Sequence, residues 1–265
     1  MPQPVSWWRE FFDDDYPFLY GAALTPERTE AEVKGVVALL DLREGQRVLD
    51  LCCGDGRHAV ALQRRGLRVV GVDASAPLLK QAGRRALRVL GVDDEDGHQT
   101  LPSGPQLAQA DARSLPLGAS FDAAILLFSS IGYGSDGDTL AMLRAARGAL
   151  GPRGQLLVEC AHRDLHVARA GPKLASADAG VIEGVTVHTE RRLDPVAGVE
   201  EATFRFRRKD GAEVEKRFRH RLYVPTELCA MLAAAGFEGL HVFGDYDGRP
   251  FTPDAPFLLV RARAA

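Results

Sequence analysis

The sequence predicts an α/β fold, a parallel sheet covered by helices on both faces, followed by a small antiparallel β insertion. Three observations predict it. From Arg47 to about residue 160, short apolar runs alternate with helical segments, the pattern of strand–helix–strand crossovers. The stretch Val48-Leu-Asp-Leu-Cys-Cys-Gly-Asp-Gly-Arg-His58 reads as a strand, a tight turn and a helix, with two glycines where a ligand can touch the backbone. After about residue 180 the apolar period falls to two, as in half-buried antiparallel strands.

The first twenty residues hold Trp7, Trp8, Phe11, Phe12, Tyr16, Phe18 and Tyr20, and positions 7, 8, 11 and 12 share one helical face. Two readings stand side by side: a helix packed on the core, and a lid whose Tyr16 or Tyr20 reaches a ligand. Thr25-Pro26-Glu27 is an N-cap with proline in the first turn, opening a helix to about Leu40. Strands are expected at 47–51, 68–72, 106–109, 123–128 and 155–159, and helices at 58–65, 76–90 and 138–150. The polar, Gly/Pro-rich stretch 91–105 reads as a mobile loop. Val185/Val187/Thr189, Phe204/Phe206 and Val214/Phe218/Leu222, separated by the turns at 194–198 and 209–211, predict three antiparallel strands in two hairpins. Pro225 opens a last helix to Ala235, and strands near 239–244 and 257–263 close the chain. The expected organisation is an aromatic and helical lid segment at 1–40, a nucleoside-binding core at 41–180, the β insertion at 181–223, and at 224–265 a helix and strands that complete the core sheet.

Composition narrows the function. A net charge of −3 gives no global case for nucleic acid or membrane as partner. The start Met-Pro-Gln-Pro lacks the basic and apolar regions of a signal peptide, and no apolar run approaches the ~20 residues of a membrane span. Cys52, Cys53, Cys160 and Cys229 form neither a Cys-x-x-Cys zinc pair nor a disulfide framework. A cytoplasmic protein without a metal is expected.

Gly54-x-Gly56-x-x-Ala59 formally fits a dinucleotide fingerprint, with Asp73 near the ribose-binding offset. Asp50 argues against that ligand, because a pyrophosphate would lie over the glycine turn. Two like charges ~4–6 Å apart cost roughly 3–4 kcal/mol at an effective dielectric near 20. The same carboxylate suits S-adenosylmethionine, whose tail carries an ammonium and whose sulfur is cationic. Asp73 can accept from both ribose hydroxyls, and Asp111 can accept from an adenine amine. The order of Asp50, Gly54, Gly56, Asp73 and Asp111, one group after each successive strand, is the signal.

These residues resemble the motifs of class I S-adenosylmethionine-dependent methyltransferases. Val-Leu-Asp-Leu-Cys-Cys-Gly-Asp-Gly resembles the first motif, Val-Val-Gly-Val-Asp-Ala-Ser the ribose-binding strand, and Ala-Asp-Ala-Arg-Ser-Leu-Pro-Leu the adenine-binding segment. Leu150-Gly-Pro-Arg-Gly-Gln-Leu-Leu-Val158 resembles the turn before the fifth strand, so the likeness covers about residues 45–160. It implies a Rossmann-like seven-stranded sheet whose last strand is antiparallel. It also implies that Asp50, Gly54 and Gly56 hold the methionyl end, Asp73 the ribose, and Asp111 with Ala112 the adenine. Cys52 and Ala74 fall inside the first two motifs and are assigned to the cofactor with them. Phe128, at the end of its strand, and Tyr20, in the aromatic segment, are assigned to it by position. Arg221-Leu-Tyr-Val-Pro-Thr-Glu-Leu228 before Ala-Ala-Gly-Phe237 is similar to small-molecule methyltransferases of the glycine and amino-sugar N-methylating type.

Methyl transfer from a sulfonium is an in-line displacement, so a neutral amine needs little base help while a hydroxyl needs a general base. His162, directly after the fifth strand, is the first candidate for acceptor contact, with Tyr133 and Tyr20 behind it. No Asn/Asp-Pro-Pro-Tyr follows the fourth strand, where Ser129-Ser130-Ile131 stands instead, which argues against base-amino and glutamine methylation. Residues 191–221 hold ten Arg/Lys against six acids, about +4. A solvated face with cross-strand ion pairs, an acidic small substrate and RNA all fit that charge. The leading expectation is a monomeric or homodimeric enzyme that methylates N or O of a small molecule. The alternatives are an RNA or protein methyltransferase docking through the basic insertion, and a non-catalytic binder of S-adenosylmethionine or NAD.

Overall fold

The computed structural model describes residues 7–89, 104–116 and 118–265. Five strands run parallel in the order the crossover pattern requires. They are β1 (Arg47–Leu51), β2 (Arg68–Asp73), β3 (Gln106–Gln109), β4 (Phe121–Leu126) and β5 (Leu150–Cys160). Two further strands, β10 (Phe237–Phe243) and β11 (Leu258–Ala264), complete a seven-stranded sheet of order β10-β11-β5-β4-β1-β2-β3. β11 runs antiparallel to both its neighbours. β1 lies between β2 and β4, so the order of connection reverses there, and Asp50 sits in register with Gly71 and Ile125. A crevice opens at such a switch point, beyond the carboxyl ends of the strands.

Helices close both faces. On one, α3 (Pro26–Leu39) and α4 (Arg57–Gln63) bury Val33, Val36, Ala59 and Leu62 against Val48, Val69 and Ile125. On the other, α6 (Asp136–Ala149) and α8 (Pro225–Ala234) bury Leu143, Ala146, Leu228 and Leu232 against Leu49, Leu126 and Val158. Capping is legible at two helix starts. Thr25 accepts from the Arg28 N–H, and Ser135 with Asp138 forms a reciprocal capping box. α5 (Ala76–Val89) packs so close to the first turn that a Cβ on Gly56 would stand 2.8 Å from that of Ala82. Gly56 has φ 72°, so both the backbone and the packing require glycine there.

The insertion differs from expectation in strand count. Four antiparallel strands form it, β6 (Ala175–Ile182), β7 (Val185–Asp194), β8 (Val199–Arg207) and β9 (Glu213–Arg221), in sequential order. β6 starts ahead of the boundary at 181 and reads Ala-Ser-Ala-Asp-Ala-Gly-Val-Ile. Seven of its eight residues are exposed, so it carries no alternation to read. A helix, α7 (Arg163–Ala170), also escaped the sequence pattern, because none of its residues is buried. Most of the stretch 91–105, read as a loop, lies outside the described residues.

The aromatic N-terminus covers the insertion. α1 (Trp7–Phe11) and α2 (Tyr16–Tyr20) place Trp7 and Phe11 in a cluster with Val187, Ala202, Phe204 and Phe206. Trp7 is 5% and Phe11 1% exposed, so part of the segment is core. The Trp7 indole N–H donates to the Tyr133 carbonyl at 3.0 Å, and the Arg221 N–H donates to the Gly132 carbonyl at 2.8 Å. These bonds fasten helix and insertion to the loop after β4.

Candidate functional site

The cleft at the carboxyl edge of the sheet is lined from four directions. The end of β1, the turn after it and the start of α4 give Asp50, Cys52, Gly54 and Arg57; the end of β2 and the residues after it give Asp73, Ala74 and Ser75; the segment after β3 gives Asp111, Ala112 and Arg113; the loop after β4 gives Phe128 and Tyr133. Trp8, Phe12 and Tyr16 add an aromatic wall, and the Phe12 carbonyl accepts from the Ser75 hydroxyl at 2.6 Å.

Asp50 is 2% exposed, and its Oδ2 has no hydrogen-bond partner. Burial pushes its carboxyl up to about 8, the Arg57 charge opposing and the Asp73 charge adding. Arg57 is 5% exposed and likewise has one unpartnered nitrogen, Nη2. Its Nη1 is tied to Glu32 and donates to the Thr29 hydroxyl at 3.1 Å. Glu32 also accepts from Arg28 Nε at 2.7 Å and lies 2.8 Å from His58 Nε2. Burial alone would raise the Glu32 carboxyl, but the His58 bond and the Arg57 charge prevail and hold it down to about 2. Among the described residues, Asp50 Oδ2 and Arg57 Nη2 are the two buried side-chain polar atoms without partners. One belongs to an acid and the other to a base, and both line one cleft. Such atoms are costly unless a ligand satisfies them.

Asp73 spans the turn: Oδ2 accepts from the Gly54 N–H and Oδ1 from the Ser75 N–H, each at 2.8 Å. Burial raises its carboxyl and these backbone bonds oppose the rise. Gly54 has φ 55°, and a Cβ there would meet only Leu78 Cδ1 at 3.8 Å, leaving room at the backbone. Asp111 is engaged differently from expectation. Arg113 grips it with Nε at 3.0 Å and Nη2 at 2.6 Å, and reaches Asp138 with Nη1 at 2.7 Å. The Arg113 bond holds the Asp111 carboxyl low. An acid two residues before an arginine is visible in the sequence, but the Asp138 contact that fixes the fork is tertiary.

Two residues expected at the site, Tyr20 and His162, do not reach the cleft lining. Tyr20 packs against Tyr16, Phe11, Phe128 and Phe204, and Tyr16, one turn earlier, faces the cleft instead. His162 is 1% exposed, its Nδ1 caps α7 by accepting from the Leu165 N–H, and its Nε2 is 2.7 Å from the Ala255 carbonyl. Both ring nitrogens are committed to the fold, which corrects the expectation that His162 contacts an acceptor. Tyr133 does line the cleft, and burial pushes its hydroxyl well above the usual range. Burial also raises the Cys52 and Cys53 thiols, which leaves no thiolate for nucleophilic chemistry. Arg57, Trp8 and Phe12 lay in segments the sequence singled out, but which face of each meets the cleft is set by packing.

Residues 48–154 match the family described as a methyltransferase domain. The chain is an S-adenosylmethionine-dependent methyltransferase. Along its length the methyltransferase is 27% identical over 220 residues to a cypemycin N-terminal methyltransferase of Streptomyces sp., covering 82% of each chain. The CcbJ methyltransferase from Streptomyces caelestis superposes with a TM-score of 0.78 at 20% identity, covering 96% of this chain and 98% of that one. The amino pentose methyltransferase CalS10 from Micromonospora echinaspora, solved with S-adenosylmethionine bound, gives a TM-score of 0.64 at 23% identity over 93% and 97% of the two chains. Both solved structures share the fold. The cleft suits such a donor on its own chemistry: an unpartnered Asp50 carboxyl oxygen, an unpartnered guanidinium nitrogen and open space over Gly54.

Proposed function

We propose that the methyltransferase transfers a methyl group to the nitrogen of a small amine. The observation that carries this reading is the aromatic part of the cleft lining. There the wall is Trp8, Phe12, Tyr16 and Tyr133, and burial pushes both tyrosines above their ordinary range, so neither is a base at neutral pH. An amine lone pair needs no such base, whereas a hydroxyl does. Two similar proteins, one named as a cypemycin N-terminal methyltransferase and one as the sugar N-methyltransferase KedS8, support the same class.

At the donor end, Asp50 Oδ2 receives the ammonium and Arg57 Nη2 the carboxylate of the methionyl group, Asp73 the ribose hydroxyls, and the Asp111–Ala112 segment the adenine. Cys52, Ala74 and Phe128 complete the walls. The bound donor supplies an electrophilic methyl on a cationic sulfur. The aromatic wall excludes water, favours the uncharged amine by desolvation, and offers ring faces to the positive charge. The chain's part is alignment of the nitrogen with the methyl carbon at about 3–3.5 Å.

The basic insertion favours this over an RNA substrate. Arg205 pairs with Glu190 and Glu215, Arg207 with Glu213, Arg219 with Glu201, and Arg221 with Glu227. Lys216 and Arg208 are taken up by Asp13 and Asp15 of the N-terminus. Its charge is largely spent on the fold. Among the described residues no helix is long and apolar enough to cross a membrane, and the four free cysteines suit a reducing cytoplasm.

The test is a panel of amines, amino sugars and phenols with methyl-labelled donor, alongside calorimetry with S-adenosylhomocysteine and NAD. Label in amines and binding of S-adenosylhomocysteine are expected. Preferential label in phenols would refute the amine assignment, and tight NAD binding without S-adenosylhomocysteine binding would refute the donor assignment.

A further inference from the structure

The carboxyl end of β4 is backbone under strain. Phe128 and Ser129 are consecutive non-glycine residues at φ 54° and 56°, a conformation that persists only where the surroundings impose it. Three hydrogen bonds impose it here. The Phe128 N–H donates to Glu159 Oε2 at 2.6 Å, the Tyr246 hydroxyl donates to the same oxygen at 3.1 Å, and the Ala161 N–H donates to Ser129 Oγ at 2.7 Å. The Phe128 ring is fixed as well, with the guanidinium carbons of Arg28 and Arg57 each 5.3 Å from its centroid and the Tyr20 ring edge-on at 6.3 Å.

Glu159 is 2% exposed and Tyr246 6%, and neither lines the cleft. A buried carboxyl is expensive, so a strand end that needed only to fold would be served by an apolar residue. What Glu159 does at this position is accept from the Phe128 N–H at the start of the turn. That turn carries Phe128 into the cleft and leads on to Tyr133.

We propose that Glu159, braced by Tyr246, is a positioning residue for methyl transfer: it locks the Phe128–Ser129 turn and so places the wall against which acceptor and donor methyl are aligned. This rests on the methyltransferase reading above. Glu159 touches neither reactant; it acts through Phe128. Its removal therefore loosens alignment more than donor affinity.

The experiment compares Glu159→Gln, Glu159→Met and Tyr246→Phe in the full chain. Calorimetry measures S-adenosylhomocysteine binding, kcat and KM are taken with the best amine of the panel, and the Phe128 amide resonance is followed in 15N-phenylalanine-labelled protein. Glu159→Met is expected to lower kcat on the order of 10- to 100-fold, the scale on which small misplacements act. Its S-adenosylhomocysteine Kd should stay within roughly threefold of wild type. Glu159→Gln keeps an acceptor for the N–H and should recover most of kcat. The Phe128 resonance, shifted downfield by its short bond to the Glu159 carboxyl group, should move upfield in all three variants, least in Tyr246→Phe. An unmoved resonance in Glu159→Gln and Tyr246→Phe overturns the proposal, even where Glu159→Met does not fold. So does a glutamine variant no more active than the methionine variant, or a Kd that worsens as much as kcat. Failure of the wild type to bind S-adenosylhomocysteine is a separate result and sinks the donor reading instead.

Discussion

Asp50→Asn separates what the cleft costs the fold from what it gives the donor. In the free protein burial holds the Asp50 carboxyl up to about 8, against an ordinary 3.8. A raised folded-state pKa means that its stability contribution is fully present below 3.8 and is lost as pH rises towards 8. At pH 7 the chain must take up a proton here on folding, which costs up to about 4 kcal/mol at 1.36 kcal/mol per unit. Asparagine carries no such cost. The free variant should therefore be more stable than wild type at pH 7 by about 2–4 kcal/mol, roughly 5–15 °C in Tm for a chain of this size. The gap should grow from pH 4 to pH 8. Donor binding should move the other way. A carboxylate and an ammonium about 3 Å apart attract by roughly 5 kcal/mol at an effective dielectric near 20. Ionising Asp50 at pH 7 takes back about 1.4 kcal/mol. Desolvation of the ammonium reduces the remainder to the about 2–3 kcal/mol typical of a charge-assisted hydrogen bond, or roughly 30- to 150-fold in Kd. Thermal melts of the free proteins from pH 4 to 9 and calorimetry with S-adenosylhomocysteine measure both. A variant that is more stable yet binds as tightly as wild type would refute the ammonium role. One that is no more stable at pH 8 than at pH 4, relative to wild type, would refute the buried, uncharged Asp50.

Three further outcomes follow from named contacts. Arg57→Lys cannot hold Glu32, Thr29 and a carboxylate together, so S-adenosylhomocysteine should bind about tenfold more weakly. Adenosine, which lacks the methionyl group, should bind the Arg57→Lys variant and wild type alike by calorimetry, and a matching loss of adenosine affinity would count against the assignment. Asp73→Ala should weaken S-adenosylhomocysteine by about 1–3 kcal/mol, and an unchanged Kd would remove Asp73 from the ribose role. Trp7→Ala uncovers the inner face of the insertion and should lower stability by about 3–5 kcal/mol, read as a lower Tm; an unchanged Tm would show that the aromatic segment is a lid without a share in the core.

Much of the core sheet was legible because its central strands β1 and β4 are short and apolar and turn residues punctuate the chain between strands and helices. Arg47–Leu51, Gln106–Gln109 and the helix starts at Pro26 and Pro225 fall where propensity and capping place them. The insertion was less legible. The alternation of β7, β8 and β9 shows because Trp7 and Phe11 bury one face of them, whereas β6 is exposed along both and gives no signal. His162 was misread for a related reason. A histidine after a strand in an α/β sheet lies at the functional edge by topology, but here an α7 amide and the Ala255 carbonyl, 93 residues away in the chain, claim both nitrogens.

The sequence by itself determined the donor. Charge sign at Asp50, glycine at 54 and 56 and an acid after each successive strand are local chemistry, and local chemistry is written in residue order. Only the tertiary structure decided the rest. Arg57 becomes an unpartnered cation in the cleft because Glu32 and Thr29, on another helix, hold its other nitrogen. Tyr16 rather than Tyr20 meets the cleft because the sheet face takes the second ring. Glu159 matters through a backbone N–H at Phe128. These contacts join residues far apart in sequence, and their geometry is fixed by packing against surfaces that exist only once the chain has folded.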